Sequence, residues 1–166
     1  MFNRFILSIL LLAAFQISRA QTSAYPKVTG YFSIVQPLTS WTKGGFASNF
    51  GNVYAVGFPF GVNLLKSDNL GVSFELAPTI RTEKNISKVS SVLFHPGAMF
   101  RFKHGFTFIG RMAFETNGRF GVTPVFNQVI KKGKDASIFV SVPFPVRLGN
   151  DQPVSVGTGL QVGVSF

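Results

Sequence analysis

Apolar residues alternate with small or polar ones along most of the chain after its N-terminal segment. This period of two is typical of β-strands that present two unlike faces. The last segment shows it most clearly: from 154 to 166 the even positions hold Val, Thr, Leu or Phe, and the odd positions hold Ser, Gly or Gln. The alternation predicts eight strands, at residues 28–38, 53–64, 70–81, 91–102, 106–116, 120–130, 136–148 and 154–166.

Short polar connections separate the predicted strands. Clusters of Gly, Asn, Asp, Ser and Lys are typical of hairpin turns, and here they lie at residues 66–69, 83–88, 103–105, 117–119, 131–135 and 149–152. Only residues 39–51 form a longer predicted loop. An even number of antiparallel strands, with the long loop at the end away from the termini, suits a bacterial membrane barrel. The fold predicted is all-β: a closed antiparallel up-and-down transmembrane β-barrel of about eight strands.

Residues 1–20 have the three parts of a secretory signal peptide. Arg4 supplies a positive charge, residues 5–15 are an apolar run, and Ser18-Arg19-Ala20 puts small residues at the two cleavage-site positions. The apolar run is shorter than the roughly 20 residues that a membrane-spanning helix needs. We therefore expect residues 1–20 to be removed on export and residues 21–166 to form one barrel domain.

Composition narrows the functional classes. Charged residues make up only 13% of the chain, against about 25% in soluble domains. The chain has no Cys, which excludes disulfide scaffolds, thiol enzymes and Cys-ligated metals. Removing Arg4 and Arg19 with the signal lowers the net charge from +10 to +8 (10 − 2). Because the predicted export argues against nucleic acid as the partner of this basic surface, we expect anionic outer-membrane lipids instead.

The charged residues indicate which face points outward. A lipocalin-like soluble barrel turns its apolar face inward around a ligand, whereas a membrane barrel turns it toward lipid. A charge facing the bilayer centre costs about 2–4 kcal/mol, and no charge of the mature chain falls on the apolar faces. The strand-interior charges all lie on the small, polar face: Glu75, Arg81, Arg101, Arg111, Glu115 and Arg147. This distribution predicts an apolar exterior and a narrow polar lumen.

The C-terminal strand carries a resemblance to a known class. An alternating strand at 154–166 that ends in Phe166 resembles the recognition signal of outer-membrane barrels. The mature chain is similar to small eight-stranded outer-membrane barrels of the porin-like superfamily, and its Phe-rich, basic composition resembles the Bacteroidetes-type outer-membrane barrel domain. The resemblance implies a bacterial outer-membrane location. It also implies that the barrel assembly machinery reads the outward residues of this strand during biogenesis: Leu160, Val162, Val164 and Phe166.

A charge network is predicted inside the lumen. Folding 70–81 against 91–102 brings Glu75 opposite His95, a pair that could do acid–base work. No nucleophile is marked beside the pair in the sequence, and buried charges need partners for structural reasons alone. We therefore expect a space-filling network and no catalytic residue, with these members: Glu75, Arg81, His95, Arg101, Arg111, Glu115 and Arg147. Two His without clustered carboxylates predict no metal site, and no cofactor motif is present.

Prolines inside predicted strands are the main departure from an ordinary barrel. They are Pro37, Pro59, Pro78, Pro96, Pro124, Pro143 and Pro145. Proline cannot donate to a strand ladder, and bulges are the usual explanation for it. The alternative is a weakened wall that admits a lipid tail sideways, as the outer-membrane palmitoyltransferase barrel is known to do.

Three functional hypotheses follow. The first is a non-enzymatic outer-membrane barrel with a structural, adhesive or envelope-maintenance role, because an eight-stranded interior is just filled by side chains. The second is a lipid-handling barrel, enzyme or conduit, with lateral access through the proline-interrupted wall. The third is a soluble exported barrel that binds an apolar ligand. Trp41, Phe46 and Phe50 in the long loop either cover the barrel top or contact an extracellular partner, which the sequence does not identify.

Overall fold

The structure, a computed structural model, describes residues 25–166. The predicted signal peptide at 1–20 lies outside these residues. The described chain forms one short 3₁₀ turn (Lys103–Gly105) and these strands: β1 (Lys27–Thr42), β2 (Gly45–Ser48), β3 (Val53–Gly57), β4 (Phe60–Leu65), β5 (Leu70–Glu83), β6 (Ile86–Arg101), β7 (Phe106–Glu115), β8 (Phe120–Lys132), β9 (Ser137–Pro143), β10 (Val146–Leu148) and β11 (Ser155–Ser165). Within residues 25–166, no helix is long and apolar enough to cross a membrane.

The strands close into a barrel. Every pairing is antiparallel, and β1 pairs with β11 from Tyr31↔Ser165 to Thr42↔Ser155, so the first and last strands meet. β3 and β4 pair with β5 in one continuous register. β9 and β10 both pair with β8, and the register shifts only between Val129 and Lys131. Counting each of these pairs as one strand, and setting aside the short β2, gives eight strands around the barrel. The predicted fold class is confirmed.

Two connections differ from the prediction. Residues 39–51 are not all loop: β1 continues to Thr42 and forms a hairpin with β2, in which Trp41 pairs with Phe46. The turn expected at 83–88 is only Lys84-Asn85, because Glu83 already pairs with Ile86. Both turn residues have positive φ, as a two-residue hairpin turn requires. Polar residues in these segments look turn-like in sequence, yet they continue the strand ladders beyond the apolar region.

Side chains alternate between an apolar exterior and a polar interior. On β5, the outward-facing Leu70, Val72, Phe74 and Leu76 are exposed, whereas the intervening residues, including Glu75, are buried. Phenyl rings line part of the outer surface, with ring centroids 5.4–6.4 Å apart from one ring to the next: Phe100, Phe102, Phe106, Phe108, Phe126 and Phe144. The orientation predicted from the charges is therefore the one observed.

Prolines interrupt the ladder at two similar places. The Phe58-Pro59 pair separates β3 from β4 opposite Pro78, and the Phe144-Pro145 pair separates β9 from β10 opposite Pro124. Each break retains one backbone hydrogen bond across it, from Phe58 N to Pro78 O and from Phe144 N to Pro124 O, both 2.9 Å.

The carbonyl groups of Pro59 and Pro145 also accept hydrogen bonds from the neighbouring strands β1 and β11. Pro59 O accepts from Ser33 N, and Pro145 O accepts from Gly157 N, each at 2.8 Å. Pro96 pairs with Phe74 of β5 and lacks a β7 partner, while Pro143 pairs with Val125. The wall at the two strand breaks is thus irregular but bridged on both sides.

Glycines allow the narrow lumen to hold large side chains. A methyl group at Gly97 would lie 2.4 Å from Gly110 O and 2.6 Å from Arg111 Cγ, whereas one at Gly110 would find nothing closer than Phe108 Cε1 at 3.9 Å. The two glycines lie on neighbouring strands of the same ladder.

Replacing Gly97 by Ala should therefore lower the free energy of unfolding by about 1–3 kcal/mol through overpacking. Gly110→Ala is the matched control and should change it little, since both variants alter the unfolded chain in the same way. Urea unfolding of both variants in one lipid system measures the difference. Equal losses would contradict the close packing at Gly97.

Candidate functional site

Glu75 is the centre of a buried hydrogen-bond network. Its Oε2 accepts from Arg111 Nη1 at 2.9 Å and from the Tyr31 hydroxyl at 2.7 Å, and its Oε1 lies 2.9 Å from His95 Nδ1. Arg111 Nη2 also donates to Tyr31 Oη at 2.9 Å and to Ser73 Oγ at 3.1 Å. All five residues are 5% exposed or less, so this carboxylate is stabilised by protein groups in place of water.

The strand register brings these groups together. Glu75 on β5 pairs directly with His95 on β6, as the sequence predicts, and Gly97 pairs with Arg111 on β7. Gly61 pairs with Glu75 from the other side. A methyl group at Gly61 would lie 2.6 Å from Tyr31 Oη. The small residues of the lumen face therefore make room for the large members of the network.

A second ion pair joins the first through Thr123. Thr123 Oγ1 lies 2.8 Å from His95 Nε2 and accepts from Arg147 Nη1 at 2.9 Å. Arg147 Nε then donates to Glu115 Oε1 at 2.8 Å. The connected network spans β1, β5, β6, β7, β8 and β10, and its two Arg side chains are balanced by two Glu side chains.

Hydrogen-bond directions along this chain are consistent with a neutral His95. The Glu75 carboxylate can only accept, so His95 Nδ1 carries the hydrogen and Nε2 accepts from the Thr123 hydroxyl. Arg147 can only donate, so it occupies an acceptor position on the same Thr123 oxygen. Glu75, His95, Thr123 and Arg147 are thus hydrogen-bonded to one another, and a neutral His95 adds no charge to the lumen.

The order carboxylate, imidazole, hydroxyl is also that of a catalytic triad. Thr123 is only 2% exposed, and neither Thr123 nor His95 lines the lumen cavity described below. A nucleophile needs space for the group that it attacks. In this structure Thr123 is enclosed by its hydrogen-bond partners His95 and Arg147.

Two residues expected in the network lie elsewhere. Arg81 is exposed near the β5–β6 turn, where its Nη2 is 3.4 Å from Glu83 Oε2, because β5 extends beyond the closed interior. Arg101 lies at the opposite end of the barrel and lines the cavity mouth. The sequence analysis missed Tyr31, Ser73 and Thr123. They are uncharged, and their only signal was their position on the small, polar face.

A cavity of about 490 Å³ occupies the end of the barrel where Lys27 and Phe166 lie. We call it the terminal vestibule. Tyr31 and Arg111 close its inner end. Its wall includes a cluster of inward-facing apolar residues: Leu65, Met99, Ile109 and Val125. Basic side chains line its mouth: Lys27, Arg101, Lys132 and Lys134. No three His, Asp or Glu side chains within 25–166 are placed to hold a metal ion.

The predicted loop contacts lie at the other end. Trp41 and Phe46 face each other across the β1–β2 hairpin with ring centroids 5.4 Å apart. Both are exposed, as is Phe50. Trp41 and Phe46 therefore lie on strands, whereas Phe50 lies in the turn that follows β2, within the long loop that the sequence predicts.

The C-terminal residue takes part in barrel closure. Phe166 N donates to Gly30 O at 2.9 Å, and Gly30 N donates to Phe166 O at 2.8 Å. The Phe166 ring lies over Gly30, where a methyl group would come 2.6 Å from Phe166 Cε2. The other residues of the predicted assembly signal face outward and are exposed: Leu160, Val162 and Val164.

These features define a small closed β-barrel with an apolar exterior and a lumen blocked by ion pairs. No family model matches the chain, and no curated protein matches it. One similar solved structure, described as "De novo design of transmembrane beta-barrels", has 7% sequence identity and a TM-score of 0.47, covering 87% of this chain and 98% of its own. The solution NMR structure of the de novo designed TMB2.3 has 12% identity and a TM-score of 0.48, covering 87% and 97%.

Removing the central carboxylate should destabilise the barrel strongly. Glu75→Ala leaves the buried Arg111 without its counter-charge, and breaking such a pair costs about 3–5 kcal/mol. Glu83→Ala is the control, because its exposed pair with Arg81 contributes no more than about 1 kcal/mol. Urea unfolding in lipid vesicles compares the two. Similar small losses for both variants would show that the lumen network does not stabilise the fold.

Proposed function

We propose that residues 21–166 form an integral barrel of the bacterial outer membrane with a structural, adhesive or envelope-maintenance role and no enzymatic activity. One observation carries the proposal: the strands turn their apolar faces outward around the whole barrel and enclose a network in which each Arg side chain is paired with a Glu side chain. Outer-membrane lipids are then the partners of the exterior, and the barrel assembly machinery is the partner during insertion.

The exposed surface supports a lipid environment. Large apolar side chains such as Phe74, Phe94 and Phe126 are more than 40% exposed away from the ends of their strands. Soluble monomers rarely expose contiguous apolar patches beyond a few hundred Å². A soluble barrel with an apolar ligand would need the opposite arrangement of faces.

The blocked lumen supports a role other than conduction. Glu75, Arg111 and Tyr31 bond to one another across the lumen, and Thr123 links them to Arg147. Eight strands leave an interior that side chains fill. An ion would have to displace several charge-assisted hydrogen bonds to pass, so the proposed barrel does not act as a general pore.

The lipid-handling alternative has less support from the wall. Lateral entry needs an opening between strands, whereas Phe58 N–H and Phe144 N–H each bridge a proline break. The remaining hydrogen bonds to Pro59 O and Pro145 O hold the opposite side of each break. The proline positions are therefore interpreted as bulge-like irregularities.

A charge on the outer face tests the membrane location. Phe74→Lys places an ammonium group in the middle of the apolar exterior, which should cost about 2–4 kcal/mol in a bilayer and reduce the heat-modifiable form in the outer-membrane fraction. Ile86→Lys changes an equally apolar residue beside the β5–β6 turn and should be tolerated. The measurement is gel mobility of that fraction before and after boiling. Wild-type protein found in the soluble periplasm without a heat shift would contradict the proposal.

Substitutions of Phe166 test whether the barrel assembly machinery recognises this residue. Phe166→Ala should lower the amount inserted in cells, whereas Phe166→Tyr, which keeps an aromatic ring, should insert normally. Because the Phe166 ring also covers Gly30, both variants need refolding into lipid vesicles without cellular factors. Insertion lost in cells but retained in vesicles indicates recognition by the machinery. Equal loss in both settings would assign Phe166 to barrel closure alone.

A further inference from the structure

The terminal vestibule has an apolar inner section and a cationic mouth, and a lumen that is only structural requires neither. Its inner half contains Leu65, Met99, Ile109 and Val125, which contact one another, and Phe139 of β9 also lines it. These side chains face inward, on the face that is otherwise small and polar. An apolar surface inside a lumen open to water at one end favours an apolar occupant.

The mouth of the vestibule is cationic. Lys27, Arg101, Lys132 and Lys134 line it, and Asp135 is the acidic side chain among the described lining residues. With four positive side chains against one negative one, the mouth favours an anion, and the apolar wall begins immediately inside it.

The inner end is not a sealed apolar core. Arg111 Nε and Asn63 Oδ1 are buried and have no hydrogen-bond partner in the described structure, and both residues line the vestibule. Buried polar atoms are normally paired with protein or with other molecules. The inner end of the vestibule is therefore polar, and the apolar section lies between this end and the cationic mouth.

We propose that the terminal vestibule binds a single-chain anionic amphiphile of the fatty-acid type. Its acidic group lies among the mouth lysines, and its alkyl chain packs against the cluster of Leu65, Met99, Ile109 and Val125. The volume of about 490 Å³ falls in the range of about 300–1,000 Å³ for small-molecule sites. Because Tyr31 and Arg111 close the inner end, the site holds a chain of limited length and does not conduct it through the barrel.

The test uses the mature barrel in phosphatidylcholine nanodiscs and titrates decanoate calorimetrically, with empty nanodiscs as the reference. We expect saturable binding of one decanoate per barrel. Decanol has the chain without the charge, and acetate has the charge without the chain, so both should bind at least tenfold more weakly (about 1.4 kcal/mol). Decanoyl lysophosphatidylglycerol carries the same chain on a phosphate headgroup. Tighter binding of this lipid would support the same site and identify a lysolipid as the source.

Two double variants distinguish the effect of charges at the vestibule mouth from the effect of the protein's overall charge. Lys132→Gln with Lys134→Gln removes two mouth charges and should weaken decanoate binding about tenfold or more. Lys43→Gln with Lys88→Gln removes two charges near the opposite end and should leave binding unchanged. Ile109→Trp fills the apolar section and should abolish binding while the heat shift shows a folded barrel.

Three outcomes would overturn the inference: heats equal to those of empty nanodiscs, equal binding of decanol and decanoate, or equal weakening by both lysine pairs. A barrel that shows the outer-membrane heat shift but gives one of these results would refute the vestibule site alone. The proposed membrane role would then be unaffected.

Discussion

The closed, narrow lumen is the constraint on which the other features depend. In an eight-stranded barrel, inward side chains from opposite walls meet, so each charged side chain placed there needs a partner among its neighbours. Glu75 meets this condition with three bonded side chains, Tyr31, His95 and Arg111. The outward face has no such requirement, and it is apolar almost throughout. The same alternation that satisfies the interior thus creates the exterior that suits lipid.

Backbone closure imposes a second condition, because a spanning barrel must pair its main-chain groups without water. Prolines conflict with this condition, since they have no N–H to donate. The conflict is reduced because two prolines meet at each strand break. Pro78 faces Phe58, next to Pro59, and Pro124 faces Phe144, next to Pro145. Two residues without donors then share one gap, and the phenylalanine N–H of each break bonds to the facing proline carbonyl.

The fold could be predicted from the sequence because alternation reports burial directly, residue by residue. The Glu75–His95 pairing could also be predicted approximately, since a short turn near residue 85 brings the two inward-facing residues close together. A one-residue register shift between Thr79 and Ile80 then sets the observed pairing. Contacts between distant strands could not, because they depend on strand tilt and stagger around the barrel. Tyr31 reaches Arg111 across 80 residues of sequence, and Thr123 links two ion pairs without any charge to mark it. Arg81 was wrongly assigned to the network. It lies on the same face of β5 as Glu75, but β5 continues past the enclosed lumen, so that Arg81 is exposed.

The charge network also determines the character of the two ends. Each Arg of the network is paired with a Glu, so the network has no net charge and contributes little electrostatic field at either end of the barrel. Most of the excess positive charge therefore lies outside the network, and part of it rings the vestibule mouth at Lys27, Lys132 and Lys134. Between that mouth and Arg111 the wall is apolar. A barrel that only needed filling could have continued the small, polar pattern of its lumen face to the rim. A cationic opening above an apolar section is instead the order of groups that an anionic amphiphile presents from head to tail.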